Sequence, residues 1–207
     1  MITAAHQTML APQGAPLPYD AEVEYLYSDG TPYVDTGIIP TFPDDLTFKA
    51  GVSWPNVSTR KIMGRQGSFY IGCVNNGFQP GFGGNDIAAG ITLSANTKYD
   101  VEARFVPTRI NVADTVYYKV GTTEGSRSSY YLDSPAAGKI WIFAANNATT
   151  LRGPSSVYYF QIIRSGTTLR DYIPVRVGTT GYLYDRASGE LFGNVGTGSF
   201  TVGPDKT

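Results

Sequence analysis

Hydrolysis, acyl transfer and metal chemistry each require particular side chains within reach of one another, and this sequence offers few. Two carboxylate pairs, Asp100/Glu102 and Glu22/Glu24, stand two residues apart in stretches that read as strands. Residues i and i+2 of a strand share a face. Two carboxylates on one face are what glycoside hydrolysis uses, about 5 Å apart when stereochemistry is retained. The plainer reading of both pairs is a solvated strand face, and no catalytic residue is assigned. The only histidine is His6, in the N-terminal stretch. A serine or cysteine nucleophile therefore lacks an imidazole base unless that stretch folds back. One histidine and one cysteine, Cys73, far apart in the chain, do not make a zinc site. Cys73 lies among Ile71 and Val74 and is read as a small core residue. The protein is expected not to be an enzyme.

Oxygen ligands for a structural calcium could come from Asp44-Asp45, Asn85-Asp86 and Asp114, but no spacing among them singles out a site, and no cofactor or metal is expected. Gly81–Asp86 is glycine-rich yet lacks the Gly-Lys-Ser/Thr ending of a phosphate cradle. Aromatic side chains are the remaining resource. An aromatic face set beside Asn and Asp hydrogen-bonding groups suits a sugar ring. Trp54 beside Pro55, and Phe78 and Phe82 near Asn75, Asn76 and Asn85, are the candidate glycan contacts. For all three aromatics, packing in the core or at a strand end is the competing reading. Trp141, in the apolar run Ile140–Ala145, is read as core.

The elements that must hold these groups are strands. Leu46–Trp54 alternates Leu46, Phe48, Ala50, Val52 and Trp54 against Thr47, Lys49, Gly51 and Ser53, the clearest period of two in the chain. Val157–Ile163 is apolar on both alternations. It is expected to be a central strand covered on both sides, with Val157, Tyr159 and Ile163 on one face and Tyr158, Phe160 and Ile162 on the other. Arg164-Ser165-Gly166-Thr167 supplies a turn into Leu169–Val177. Pro174 there lacks an N–H and requires a bulge or a sheet edge. Further strands are read at Tyr33–Ile39, Lys61–Gly64, Ser68–Val74, Phe78–Phe82, Tyr99–Val106, Ile110–Val112, Thr115–Val120, Tyr130–Leu132, Lys139–Ala145, Gly181–Tyr184 and Glu190–Phe192. Thr122–Ser129 is polar throughout and reads as a loop. About a dozen strands with turn signals at short spacing, and no sustained helical period, predict an all-β sandwich.

The runs at 152–176, RGPSSVYYFQIIRSGTTLRDYIPVR, and at 181–200, GYLYDRASGELFGNVGTGSF, resemble the C-terminal part of concanavalin A-like, laminin-G-like jelly-roll domains. EYLYSDGTPYVDTGIIPT at 24–41 and IWIFAANN at 140–147 resemble the same group in the same order. The likeness spans about residues 22 to 203. It implies a concanavalin-like two-sheet antiparallel β-sandwich, a fold frequent in bacterial surface proteins and phage proteins. Glucan hydrolases on this fold carry a denser acidic cluster than the strand with Asp100 and Glu102, which lacks the outer glutamates.

The 207 residues suffice for one large sandwich with its own core. The expected organisation is an extended, proline-rich N-terminal arm over residues 1–20 and the sandwich over 21–207. Net charge is −1 with basic residues scattered singly, which argues against nucleic acid and against electrostatic attachment to a membrane. No secretory leader or membrane-length apolar run is read, and the sequons at Asn56 and Asn147 are taken as chance. The leading expectation is a non-enzymatic structural or adhesion protein of a phage virion, a homo-oligomer docked on other virion proteins through its arm and able to meet cell-surface glycans. The alternatives are a carbohydrate-binding module of a bacterial surface protein and, third, a glycan hydrolase.

Overall fold

The computed structural model describes residues 16–41, 43–58, 61–65, 69–82, 85–107, 113–130, 138–146 and 152–207. Residues 1–15 of the predicted arm, the Gly83-Gly84 turn, the predicted strand Ile110–Val112 and the Asn147 sequon lie outside them.

The described residues form strands and no helix. In chain order they are β1 (Ala21–Glu22), β2 (Leu26–Ser28), β3 (Val34–Asp35), β4 (Leu46–Ser53), β5 (Lys61–Arg65), β6 (Phe69–Val74), β7 (Gly77–Phe78), β8 (Gly81–Phe82), β9 (Asn85–Asp86) and β10 (Tyr99–Val106). There follow β11 (Ala113–Val120), β12 (Thr123–Tyr130), β13 (Trp141–Ile142), β14 (Ala145–Asn146), β15 (Ser155–Arg164), β16 (Thr167–Val177), β17 (Thr180–Asp185), β18 (Glu190–Phe192) and β19 (Thr201–Val202). The larger sheet runs β12-β11-β10-β4-β15-β16-β17-β18, with β1, β2 and β19 added at its side. The smaller runs β3-β13-β5-β6-β8-β9, with β7 and β14 attached. Pairing is antiparallel except for the short β14–β5 contact. The fold is the expected two-sheet, jelly-roll-like sandwich.

The core lies between the sheets. Leu46, Phe48, Ala50 and Val52 of β4 are fully buried, as their alternation requires. Phe105 of the larger sheet is met edge-on by Phe69 at 5.4 Å and stacked by Phe82 at 5.8 Å, both from the smaller sheet. Phe48 packs against Phe105 and Phe160 from neighbouring strands. Cys73 is buried, as read from its neighbours.

The structure corrects four sequence readings. β15 is central, between β4 and β16, but its faces are not a simple alternation. Its register against β4 shifts between Val157 and Tyr159, so Val157 and Phe160 both turn into the core while Tyr158 and Tyr159 are half-exposed. The bulge inserts one residue and inverts the parity, so the doubly apolar run does not mean cover on both faces. Where a loop is expected at Thr122–Ser129, Thr123–Tyr130 is the edge strand β12, paired along its length with β11. The positions opposite the inward residues of β11 hold Thr123, Gly125, Arg127 and Ser129, none of them apolar, and the Tyr118 ring of β11 fills the space a side chain would need at Gly125. The predicted strand Lys139–Ala145 is broken into β13 and β14 by Phe143, whose φ is +70°. The sandwich also begins before residue 21. Tyr19 packs on Tyr184 with ring centroids 5.0 Å apart, and the Asp20 N–H donates to the Arg176 carbonyl, so both sit at the sheet edge rather than in an arm.

Pro174 stands where β16 exchanges partners. Tyr172 pairs with Phe160 of β15, Val175 pairs with Glu22 of β1, and the Pro174 carbonyl accepts from the Val23 N–H. The missing proline N–H falls at that junction.

Candidate functional site

The outer face of the larger sheet collects polar side chains from six strands into one row. In register across it stand Asp171 of β16, Gln161 of β15, Lys49 of β4, Glu102 of β10, Lys119 of β11 and Glu124 of β12. Neighbours in such a row are about 5 Å apart, close enough to interact. The Gln161 amide donates to Asp171 at 2.9 Å, and Lys49 Nζ lies 3.3 Å from Glu102 Oε2. From Lys49 outward the charges alternate, so no like pair stands directly opposed.

Aromatic rings flank this row on both sides. One row towards the other end of β11, Thr47, Arg104, Tyr117 and Ser126 stand in register. Arg104 is fixed by two hydrogen bonds to Asp45, at 3.2 and 2.8 Å, and its guanidinium lies 5.9 Å from the Tyr117 ring centroid. On the other flank Tyr117 has only the serine Ser126 as its neighbour in register, and Tyr117 is 47% exposed. The cleft there has a volume of about 550 Å³, and Glu102, Tyr117, Lys119, Glu124 and Ser126 line it. That size is within the usual range for small-molecule sites. A second cleft of about 290 Å³ on the Arg104 side is lined by Tyr117 as well, so this ring stands between the two. On the opposite side of the row, Tyr159 pairs with Gly51, and Gly51 with Asp100. Burial, then the charge and hydrogen bond of Asp100, push the Tyr159 phenol up to about 12. From strand and residue spacings, Tyr159 and Tyr117 are about 20 Å apart along the face.

Both members of the Asp100/Glu102 pair point to this outer face, as their spacing predicts, and each is engaged: Asp100 with Tyr159, Glu102 with Lys49. Of the predicted glycan contacts, the aromatic half is overturned. Trp54 is 1% exposed, Phe78 1% and Phe82 0%, so none offers a face to a ligand. Trp54 continues the buried parity of β4, and Phe82 is held by Phe69 and Phe105. Trp141, read as core, is instead only partly buried and stacks on Tyr33 at 4.3 Å. Arg152 also lies over the Tyr33 ring, which leaves that pair little free surface. Asn75 and Asn76 are exposed at a two-residue turn between β6 and β7, with φ of +49° and +63°. They line a cleft of about 560 Å³ with Phe78, Gln79 and Thr92, so three of the six residues come together there, whereas Asn85 lines a different one with Asp86 and Arg127. The six residues do not form one site.

Tyr117 escaped the sequence reading. Its signal was present: in Thr115–Val120 the apolar parity is Val116, Tyr118 and Val120, which leaves Tyr117 as an aromatic on the polar face. Three of the calcium candidates are engaged otherwise. Asp44 pairs with Arg164 at 3.1 Å, Asp45 with Arg104, and Tyr70 donates to Asp86. Among the described residues no three His, Cys, Asp or Glu side chains gather as metal ligands would.

Eight solved chains match this structure. One is a candidate carbohydrate-binding protein from Bacteroides ovatus, with a TM-score of 0.63 at 11% identity. The match covers 90% of this chain and 61% of that one, so the chain spans under two thirds of that protein's length. At this identity the likeness establishes the sandwich fold. It agrees with a concanavalin-like architecture and carries no sign of a phage particle. No protein-family profile matches the chain, so the laminin-G-like likeness finds no family support. No curated protein matches it either.

Proposed function

We propose that this protein binds carbohydrate, on the outer face of the larger sheet. The observation that carries the reading is Tyr117, a half-exposed ring at the junction of two clefts, with Glu102, Lys119, Glu124 and Ser126 ranged beside it. A sugar offers an apolar ring face to an aromatic and hydroxyls to charged groups, and this arrangement supplies partners for both. The likeness in fold to a candidate carbohydrate-binding protein supports the same reading. The module is non-catalytic in this proposal, because Asp100 and Glu102 are each committed to a neighbour. Membership of the laminin-G-like group, display on a virion or cell surface, and oligomerisation through the N-terminal segment are finer proposals. They rest on the sequence resemblance and on the exposed Leu17 beside the Tyr19 anchor.

The test is a glycan array followed by calorimetry with the parent, Tyr117→Ala and Tyr117→Phe. The expected result is binding by the parent and Phe variant, and a loss of about tenfold or more in the Ala variant, in keeping with an aromatic contact of about 1.5 kcal/mol. Binding unchanged in Tyr117→Ala, or no binding to any glycan, overturns the proposal. Light scattering of the chain against one starting at Ala21 tests the N-terminal segment; identical monomers would refute assembly through it.

A further inference from the structure

The charge row also limits what kind of glycan the face accepts, an inference that rests on the carbohydrate reading above. We propose that the ligand is an uncharged oligosaccharide and that the face discriminates against chains carrying carboxylate or sulfate groups.

The argument begins with where each cation is spent. Lys49 is 3.3 Å from Glu102. Arg104 is held by both oxygens of Asp45. Lys119 stands in register between Glu102 on one neighbouring strand and Glu124 on the other. An anionic sugar would need to draw Lys49 or Arg104 from its carboxylate, or to meet Lys119 between two glutamates. In the cleft beside Tyr117 the carboxylates exceed the cations: Glu102 and Glu124 are two and Lys119 is one, a net of −1. A sugar carboxylate would therefore approach a surface with an excess of its own sign, and Glu124 lines the cleft it would enter. Like charge brought together at a binding face is strongly unfavourable. A neutral sugar meets no such penalty. Its hydroxyls donate to the carboxylates and accept from the ammonium groups, so the alternating row can bind it without separating a pair. The tyrosines at the two ends of the face, about 20 Å apart by strand geometry, suit an extended chain more than a single ring.

The experiment compares three probes of matched length on the full chain: a neutral hexose oligosaccharide, its uronate counterpart and a de-N-acetylated amino-sugar chain. The variants are Glu102→Gln/Glu124→Gln and Tyr117→Ala. The expected result is neutral binding, with the uronate weaker by about tenfold or more at low salt, the equivalent of about 1.4 kcal/mol. The gap should narrow at high ionic strength, where exposed charges are screened. It should also narrow in the double variant, which frees Lys49 and Lys119 while leaving the ring in place. A uronate chain that binds as well as the neutral chain, or as well as the amino-sugar chain, overturns this inference yet leaves carbohydrate binding standing. A protein that binds none of the three, on any array, loses both.

Discussion

The ring of Tyr159 on β15 lies across Gly51 on β4, its partner in register. A Cβ at Gly51 would fall 2.8 Å from Cε1 and 2.9 Å from Cδ1 of that ring, well inside carbon–carbon contact distance. The glycine is therefore required for space. With a side chain on β4 the ring could not lie flat on the sheet beside Asp100.

Gly51→Ala should destabilise the fold by about 1–3 kcal/mol, the usual cost of an added carbon in packed surroundings. In a Tyr159→Ala background that cost should shrink, because the obstructing ring is gone. Urea unfolding of the four proteins in a double-mutant cycle measures the coupling. An equal cost in both backgrounds would mean that the ring is not what excludes the methyl group.

The same tyrosine gives stability a pH dependence. Its phenol is pushed from 10.0 up to about 12 by burial first and by Asp100 second. The folded state thus holds the proton where the unfolded chain has released it. This contribution is complete below pH 10 and is lost as pH rises from about 10 through about 12. Tyr172, which burial also raises, adds to the same trend. The denaturation midpoint should fall between pH 9 and pH 11, and Tyr159→Phe should lessen the fall without abolishing it. A fall of equal size in parent and variant would contradict the assignment.

Phe82→Ala should cost about 3–5 kcal/mol, since it removes a fully buried ring that joins the sheets. Phe82→Leu should cost less. Thermal unfolding orders the two. An alanine variant with parental stability would mean that Phe82 does not join the sheets.

Asp185 is 0% exposed and its Oδ1 accepts from the Asp171 N–H at 2.7 Å and the Ala187 N–H at 3.1 Å, while Oδ2 is 3.5 Å from Arg170. Asp185→Ala leaves two backbone donors without this acceptor and takes the buried anion from Arg170. About 3–5 kcal/mol is the expected loss. Asp185→Asn keeps an oxygen for the two N–H groups and should be milder. Chemical denaturation decides; an alanine variant as stable as the parent would show that this carboxylate does not hold the turn after β17.

The sequence alone determined the strand faces wherever one regular alternation runs unbroken. Leu46 to Trp54 is such a run, and its parity placed Trp54 in the core even while the residue was a candidate for ligand contact. The turn at Ser165-Gly166 was legible too, since both residues take positive φ and glycine favours it. What the tertiary structure alone decided is non-local. A bulge inverts the parity of β15, and a bulge has no signature in an apolar run that reads equally well on either face. Gly125 could be recognised as core-facing only once the Tyr118 ring was seen over it. The row from Asp171 to Glu124 is assembled from six strands whose order in the sheet differs from their order in the chain. Lys49 and Glu102 are local to nothing in sequence, and only sheet pairing, which fixes neighbours by register at about 5 Å, brings them together.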